Sequence, residues 1–343
     1  MMKRLLLCLL LLVACRSEQP TLPQSVVATA TPVPPVVQGD VAVVGRLVYV
    51  QGGQLWLHTA RRTEALAFGA NGRDPAWSAD GRKLAFVRRG ESFADVYVWD
   101  AATQQATRIT FNDSPAQPRS REYVHAVFWA AQPTWGPRGD EIVFLSQAQT
   151  ATTEDSGNPI YEYPLSLYRY ALKLVGKREP TNADQIALEV NGDVQRPAWS
   201  PDGKTLAYVE APRDGSERRM MRLVLPDGVA EPFPGVPMGA YDPAWSPDGT
   251  LLAFAAATDG ATDIWVVSAL GGAPQRVTKL GSARAPAWSP DGSQLAVINI
   301  DTQSSDVYVA AVQRNGNVVT GGAAQPLTKN AQVDASAGLA WGR

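Results

Sequence analysis

Pro286-Ala287-Trp288-Ser289-Pro290-Asp291-Gly292 is the clearest of several near copies of one heptapeptide, and its reading sets the length of every structural unit in this 343-residue chain. Pro75-Ala76-Trp77-Ser78-Ala79-Asp80-Gly81, Pro197-Ala198-Trp199-Ser200-Pro201-Asp202-Gly203 and Pro243-Ala244-Trp245-Ser246-Pro247-Asp248-Gly249 match it closely. Pro133-Thr134-Trp135-Gly136-Pro137-Arg138-Gly139 is a looser copy, and Leu339-Ala340-Trp341 is a truncated last one. The tryptophans Trp77, Trp135, Trp199, Trp245, Trp288 and Trp341 therefore recur every 43 to 64 residues, an interval at which repeat folds place one supersecondary unit per copy.

Each residue type in the heptapeptide has a mechanical role. In Ser-Pro-Asp-Gly the proline presets φ at the second turn position, aspartate suits the third and glycine the fourth, which makes a tight reversal. Short apolar runs follow it, such as Leu84-Ala85-Phe86-Val87, Leu206-Ala207-Tyr208-Val209 and Leu252-Ala253-Phe254, and read as the returning strand. The heptapeptide is thus strand A, a turn and the start of strand B. Asp95-Val96-Tyr97-Val98, Asp263-Ile264-Trp265-Val266 and Asp306-Val307-Tyr308-Val309 read as strand C, and strand D ends in Arg108-Ile109-Thr110, Arg276-Val277-Thr278 and Pro326-Leu327-Thr328. Four short strands per repeat predict an all-β, six-bladed β-propeller with four-stranded antiparallel blades. The repeated tryptophan is expected to be a wedge between adjacent sheets; at roughly 150–250 Å² buried, it contributes an upper bound of roughly 4–6 kcal/mol per blade.

At these residues the chain resembles the TolB-like β-propeller repeat family, over roughly residues 46–343, in a version without the N-terminal α/β domain that accompanies the repeat in TolB. The resemblance implies a role in the bacterial envelope. Arg46-Leu47-Val48-Tyr49-Val50 and Gln54-Leu55-Trp56-Leu57 read as strands B and C with no heptapeptide before them, whereas Trp341 has no strand B after it. The two ends are therefore expected to complete one blade together, removing an exposed sheet edge.

Met1-Met2-Lys3-Arg4 and the apolar run 5–13 form a basic n-region and an h-region too short to span a bilayer. The run ends in Leu12-Val13-Ala14-Cys15, which looks like a bacterial lipobox, so residues 1–14 are expected to be a lipoprotein signal peptide and Cys15 the lipid attachment site; ordinary signal cleavage nearby is the alternative. Cys8 lies in the removed part, leaving no cysteine pair for a disulfide or a zinc site. Pro20, Pro23, Pro32, Pro34 and Pro35 among serine, threonine and valine mark residues 15–45 as a disordered tether, extended at about 3.1 Å per residue.

Two stretches break the repeat. Residues 111–132 join strand D of one blade to strand A of the next and hold Tyr123, His125, Phe128 and Trp129; residues 146–164 lie between strands B and C and hold Tyr161 and Tyr163. D-to-A and B-to-C connections leave a propeller on the same face, so both are expected to rise beside one channel mouth. Trp129 is the tryptophan without a repeat position, either a partner contact or packing for its own loop. Arg73, Asp74, Arg196, Tyr241, Asp242 and Arg284 lie one or two residues before heptapeptides and are expected to ring that mouth, as partner contacts or as solvated loop residues.

The formal net charge of −2 and the absence of a basic stripe argue against a nucleic-acid partner. The two histidines, His58 and His125, lack zinc-ligand spacing. Gly203-Lys204-Thr205 is already explained as a blade turn, and no Gly-x-Ser-x-Gly elbow occurs. No catalytic residue, metal or cofactor is expected. The reading is a monomeric, membrane-anchored, non-enzymatic scaffold, exported and facing the periplasm or cell exterior, that engages an envelope protein or cell-wall component. The alternative is a glycan lyase or hydrolase with a polar site at the channel mouth, as some TolB-like propellers are sugar lyases.

Overall fold

The computed structural model describes residues 41–343 and the backbone of 36–37, except 115, 118–119, 121–127, 148–150, 156–157, 163–164, 173–183, 187–191 and 226–227. The side chains of 151–155, 158–162 and 184–185 also lie outside the description. Cys15 and the signal segment fall outside it, as do Tyr123, His125 and Tyr163. All described residues belong to one compact unit, Pro32–Arg343.

Six antiparallel blades form the unit. Blade 1 is Gly72–Trp77, Lys83–Arg89, Ala94–Asp100 and Gln105–Arg108. Blade 2 is Ala130–Trp135, Glu141–Ser146, Ser166–Ala171 and Asp184–Gln185; blade 3 is Gly192–Trp199, Thr205–Pro212, Arg219–Val224 and Ala230–Pro232. Blade 4 is Tyr241–Trp245, Leu251–Thr258, Ala261–Ser268 and Gln275–Arg276; blade 5 is Ala283–Trp288, Gln294–Ile300, Ser305–Asn315 and Gln325–Pro326. Blade 6 takes Ala340–Gly342 as strand A and Arg46–Gln51, Gln54–Thr59 and Thr63–Ala70 as the rest, with Leu47 opposite Trp341 and Val48 opposite Ala340. The ring closes through the shared blade that the sequence predicts.

The Ser-x-Asp-Gly turns explain why the repeat works. In blades 1, 3, 4 and 5 the serine hydroxyl donates to the aspartate two residues on at 2.6–2.7 Å, and that carboxylate also accepts the N–H of the residue after the glycine. The serine Oγ then accepts the N–H that opens strand B. The glycine sits at φ between +68° and +73°, where a Cβ would be strained. Blade 2 has Gly136 and Arg138 at the corresponding positions and makes neither side-chain bond.

Burial follows the seams between blades. Strand B is buried on both faces, so it reads as an unbroken apolar run. The core separates into six clusters, each drawn from two neighbouring blades. Trp135, Trp245 and Trp288 cross their seams and donate from Nε1 to Ala76, Ala198 and Ala244 of the preceding blade, at 2.9, 3.0 and 3.1 Å. The Nε1 atoms of Trp77 and Trp199 are buried without an acceptor.

Three features lie beyond the repeat. Strand C of blade 5 runs on past its neighbours and folds back as a hairpin with Val318–Gly321, a fifth strand in that sheet. Arg314 pins this hairpin to Asp248 of blade 4 at 2.6 Å. At the other end of the chain, Val36–Val37 pairs with Thr328–Lys329 beside blade 5. Residues 41–45, within the stretch read as tether, lie against the propeller, with Val43 buried between blades 5 and 6.

Candidate functional site

Strand A of every blade begins with a bend. Its pairing with strand B slips by a residue between Arg73 and Ala76, Gln195 and Ala198, Tyr241 and Ala244, and Arg284 and Ala287, and blade 2 slips likewise opposite Val143 and Leu145. Such bulges re-aim one residue out of the ladder. That residue is Asp74, Gln132, Arg196, Asp242 or Ala285, each at φ between +49° and +54°, and in blade 6 the corresponding residue is Gly338 at +74°. Five of the six stand directly before a proline, a position normally forced into extended backbone.

The bend turns each residue toward the next blade, and a belt results. Asp74 Oδ2 accepts the N–H of Gln132 at 3.2 Å, and Gln132 Oε1 accepts the N–H of Arg196 at 2.6 Å. Arg196 Nε reaches Asp242 Oδ1 at 3.1 Å, and Asp242 Oδ2 accepts the N–H of Ala285 at 3.0 Å and Arg284 Nε at 3.1 Å. Arg73 pairs with Asp74 at 3.2 Å and donates to the Ser336 carbonyl at 3.2 Å; Arg196 donates to the same carbonyl from the other side of the channel. The Tyr241 ring has the guanidiniums of Arg218 and Arg284 at 5.1 and 5.2 Å. Burying Asp242 is tolerable because both its oxygens are paired; Asp74 is paired and hydrogen-bonded through Oδ2, while its Oδ1 is buried without a partner.

The six residues predicted to ring the mouth are thus brought together, and they spend their charge on one another. Gln132, Ser336 and Gly338 complete the belt and were not anticipated; Gln132 and Gly338 stand immediately before a heptapeptide or its truncated copy, whereas Ser336 lies three residues before Leu339. Beneath the belt a cavity of about 410 Å³ runs along the channel, walled by the Pro-Ala-Trp segments and reaching the Ser-Pro-Asp-Gly turns at the opposite end.

On the insertion face, residues 146–164 include a hairpin of Ala151–Asp155 and Asn158–Glu162, whose backbone places Tyr161 opposite Thr152. Phe128 is half-buried and exchanges backbone bonds with Asn112 and Ala94. Trp129 is half-buried too, packed on the core shared by blades 1 and 2, with the Arg89 guanidinium 5.9 Å from its ring.

A second buried cluster repeats in blades 1, 4 and 5. Asp95, Asp263 and Asp306 open strand C and accept the hydroxyls of Thr110, Thr278 and Thr328 at 2.7–2.9 Å. Arg108 and Arg276 also pair with Asp95 and Asp263. Burial pushes the Asp306 carboxyl up, but donors from Ser304, Ala331, Thr328 and Asn330 outweigh it and hold the group below the ordinary range. These clasps fasten strand D to strand C and belong to the scaffold. His58 is buried with Nδ1 2.7 Å from Thr63 Oγ1, and burial pulls its pKa down. Among the described residues, no group of three or more His, Cys, Asp or Glu stands close enough to hold a metal ion.

No family model matches the chain. An uncharacterized peptidase of Bacillus subtilis, YuxL, is 29% identical over 179 aligned positions, and the match covers 46% of this chain and 23% of that protein. The match thus spans under a quarter of that relative's length. Among solved structures, TolB from Acinetobacter baumannii superposes with a TM-score of 0.61 at 17% identity, covering 89% of this chain and 68% of TolB. A putative TolB from Agrobacterium tumefaciens gives 0.54 at 17% identity, covering 83% and 91%. The fold is similar to that of TolB-like six-bladed propellers; at this identity the likeness concerns fold alone.

Proposed function

We propose that this chain is a non-enzymatic binding scaffold of the bacterial cell envelope, exported and held to a membrane through lipid on Cys15, with residues 15–35 as its tether. It engages a protein or cell-wall partner through the face that carries residues 111–132 and 146–164. One observation carries the reading. The polar residues gathered at that channel mouth are paired with one another across it, so the insertions are the surface this face offers. Loops on a rigid frame are the usual place for recognition.

Crosslinking in intact envelopes tests it, comparing the full chain with one in which residues 147–163 are replaced by a short Gly-Ser turn. The expected result is loss of a specific crosslinked partner with an unchanged melting temperature. An identical set of partners from both proteins would overturn it. A second reading draws on the match to an uncharacterized peptidase: the propeller serves a hydrolase as its non-catalytic part, which predicts that the crosslinked partner is itself a hydrolase.

A further inference from the structure

The seam between blades 5 and 6 contains a piece of chain from outside the repeat. Val43, 2% exposed, shares a core with Ala285, Ile298 and Val307 of blade 5 and with Tyr49 and Trp56 of blade 6. The Ala42 carbonyl accepts Gln294 Nε2 at 3.1 Å. The Val44 carbonyl accepts Trp341 Nε1 at 2.6 Å, taking the role that a strand-A alanine carbonyl plays for Trp135, Trp245 and Trp288. Gly45 passes so close to blade 6 that a Cβ would lie 2.3 Å from the Gly342 oxygen.

The same core holds the connection that leads into blade 6. Leu327, Ala331 and Val333 are buried with Val43, while Ala335 and Leu339 pack against the cluster. Ser336 lies on this connection, and its carbonyl receives Arg73 from blade 1 and Arg196 from blade 3. The packing of residues 41–45 and the arginine contacts that span the channel mouth therefore rest on one loop.

We infer that residues 41–45 are a latch: seated in the seam between blades 5 and 6, they hold the loop 327–339 in place and, through Ser336, keep Arg73 and Arg196 tied across the insertion-face end of the channel. Withdrawal of the latch removes Val43 from the core and leaves Trp341 Nε1 and Gln294 without these acceptors. The loop then loses its packing partner, and Arg73 and Arg196 lose their shared carbonyl. Because the latch continues directly into the N-terminal stretch, a force or partner acting on that stretch is transmitted to the channel mouth.

Hydrogen exchange of the full-length protein, read by mass spectrometry, tests the coupling. Val43→Ala should lower protection roughly tenfold in residues 41–45, in 327–339 and in strand A of blades 1 and 3, the size expected for methyl groups lost from a core. Strand B of blade 4, Leu251–Thr258, should be unchanged. Coupling between two sites is reciprocal, so Arg196→Gln should in turn lower protection at 41–45. Trp341→Phe, which removes one hydrogen bond and little volume, should act in the same direction as Val43→Ala. The inference is overturned if Val43→Ala loosens 41–45 alone, if all six blades loosen equally, or if Arg196→Gln leaves 41–45 as protected as before.

Discussion

Asp242→Asn replaces the belt's central carboxylate with an amide of the same shape, and its cost can be worked from the contacts. Asp242 Oδ1 is ion-paired with Arg196 Nε and accepts Arg284 Nη2, and Oδ2 accepts Arg284 Nε and the N–H of Ala285. Every neighbour is a donor. The amide offers one oxygen, so whichever way it turns, its NH₂ faces either Arg196 or the Arg284 and Ala285 pair. The charge is lost as well, with the carboxylate 6% exposed and the two guanidiniums 19% and 27% exposed. Breaking a fully buried pair costs about 3–5 kcal/mol, and the partial exposure of both arginines lowers this to about 2–4 kcal/mol. For a cooperative unit of this size that is a fall of roughly 3–6 °C in melting temperature. Scanning calorimetry at neutral pH should find it, with Asp259→Asn as control, since Asp259 is an exposed turn residue at positive φ that asparagine tolerates. Equal melting temperatures for the two variants would refute the claim that the belt joins the blades.

The wedge tryptophans should separate into two groups on replacement by phenylalanine. At Trp135, Trp245 and Trp288 the change removes an inter-blade hydrogen bond, at about 0.5–1.5 kcal/mol beyond lost packing; at Trp77 and Trp199, whose Nε1 has no acceptor, that extra loss should be missing. Denaturant midpoints measured for all five would contradict this if they fell together. Acid should weaken the fold through its turns. The hydroxyls of Ser78, Ser200 and Ser289 hold Asp80, Asp202 and Asp291 below the ordinary carboxylate range. At Asp248 burial pushes the carboxyl up, but donors from Ser246, Thr250 and Arg314 outweigh it and hold the group low. Groups whose folded pKa is depressed add stability that is complete above the unfolded value of about 3.9 and is lost as pH falls through the folded values. Unfolding free energy should therefore drop below about pH 4, and less steeply in Ser246→Ala; parallel curves for wild type and variant would count against the turn mechanism.

The blade number, the strand order and the shared closing blade were all legible in the sequence, because a turn and the strand after it are local and the heptapeptide repeats both. The clasp between strands C and D was half visible. Asp95 and Arg108 stand 13 residues apart, as do Asp263 and Arg276, and both pairs were on view as strand ends. What sequence alone could not supply was the register that sets them side by side. The same limit applies to the belt: Arg73, Asp74, Arg196, Tyr241, Asp242 and Arg284 were placed at the mouth, yet their mutual pairing depends on a bulge and a left-handed residue in blades 1 to 5. Gln132 had only its place before a heptapeptide to mark it, and nothing in Ser336 distinguishes it as polar chain lining a channel. Val43 was hidden differently, as one valine in a segment with no periodicity, buried in large part by residues of blade 5 near the far end of the chain.

The strain in the belt has a structural origin that bears on where function lies. A non-glycine residue in the left-handed region costs about 1–2 kcal/mol, and such residues often mark functional sites. Here the bend at Gln132, Arg196 and Ala285 points each backbone N–H at a side-chain acceptor on the preceding blade, so a hydrogen bond across a seam offsets the strain. Blades 5 and 6 carry Ala285 and Gly338, which offer no side-chain acceptor to the blade that follows. The ring would be open there. Arg196 spans the gap instead, reaching from blade 3 to the Ser336 carbonyl beside Gly338, where a Cβ would come within 3.3 Å of its guanidinium. The bends are thus used up in holding six sheets together.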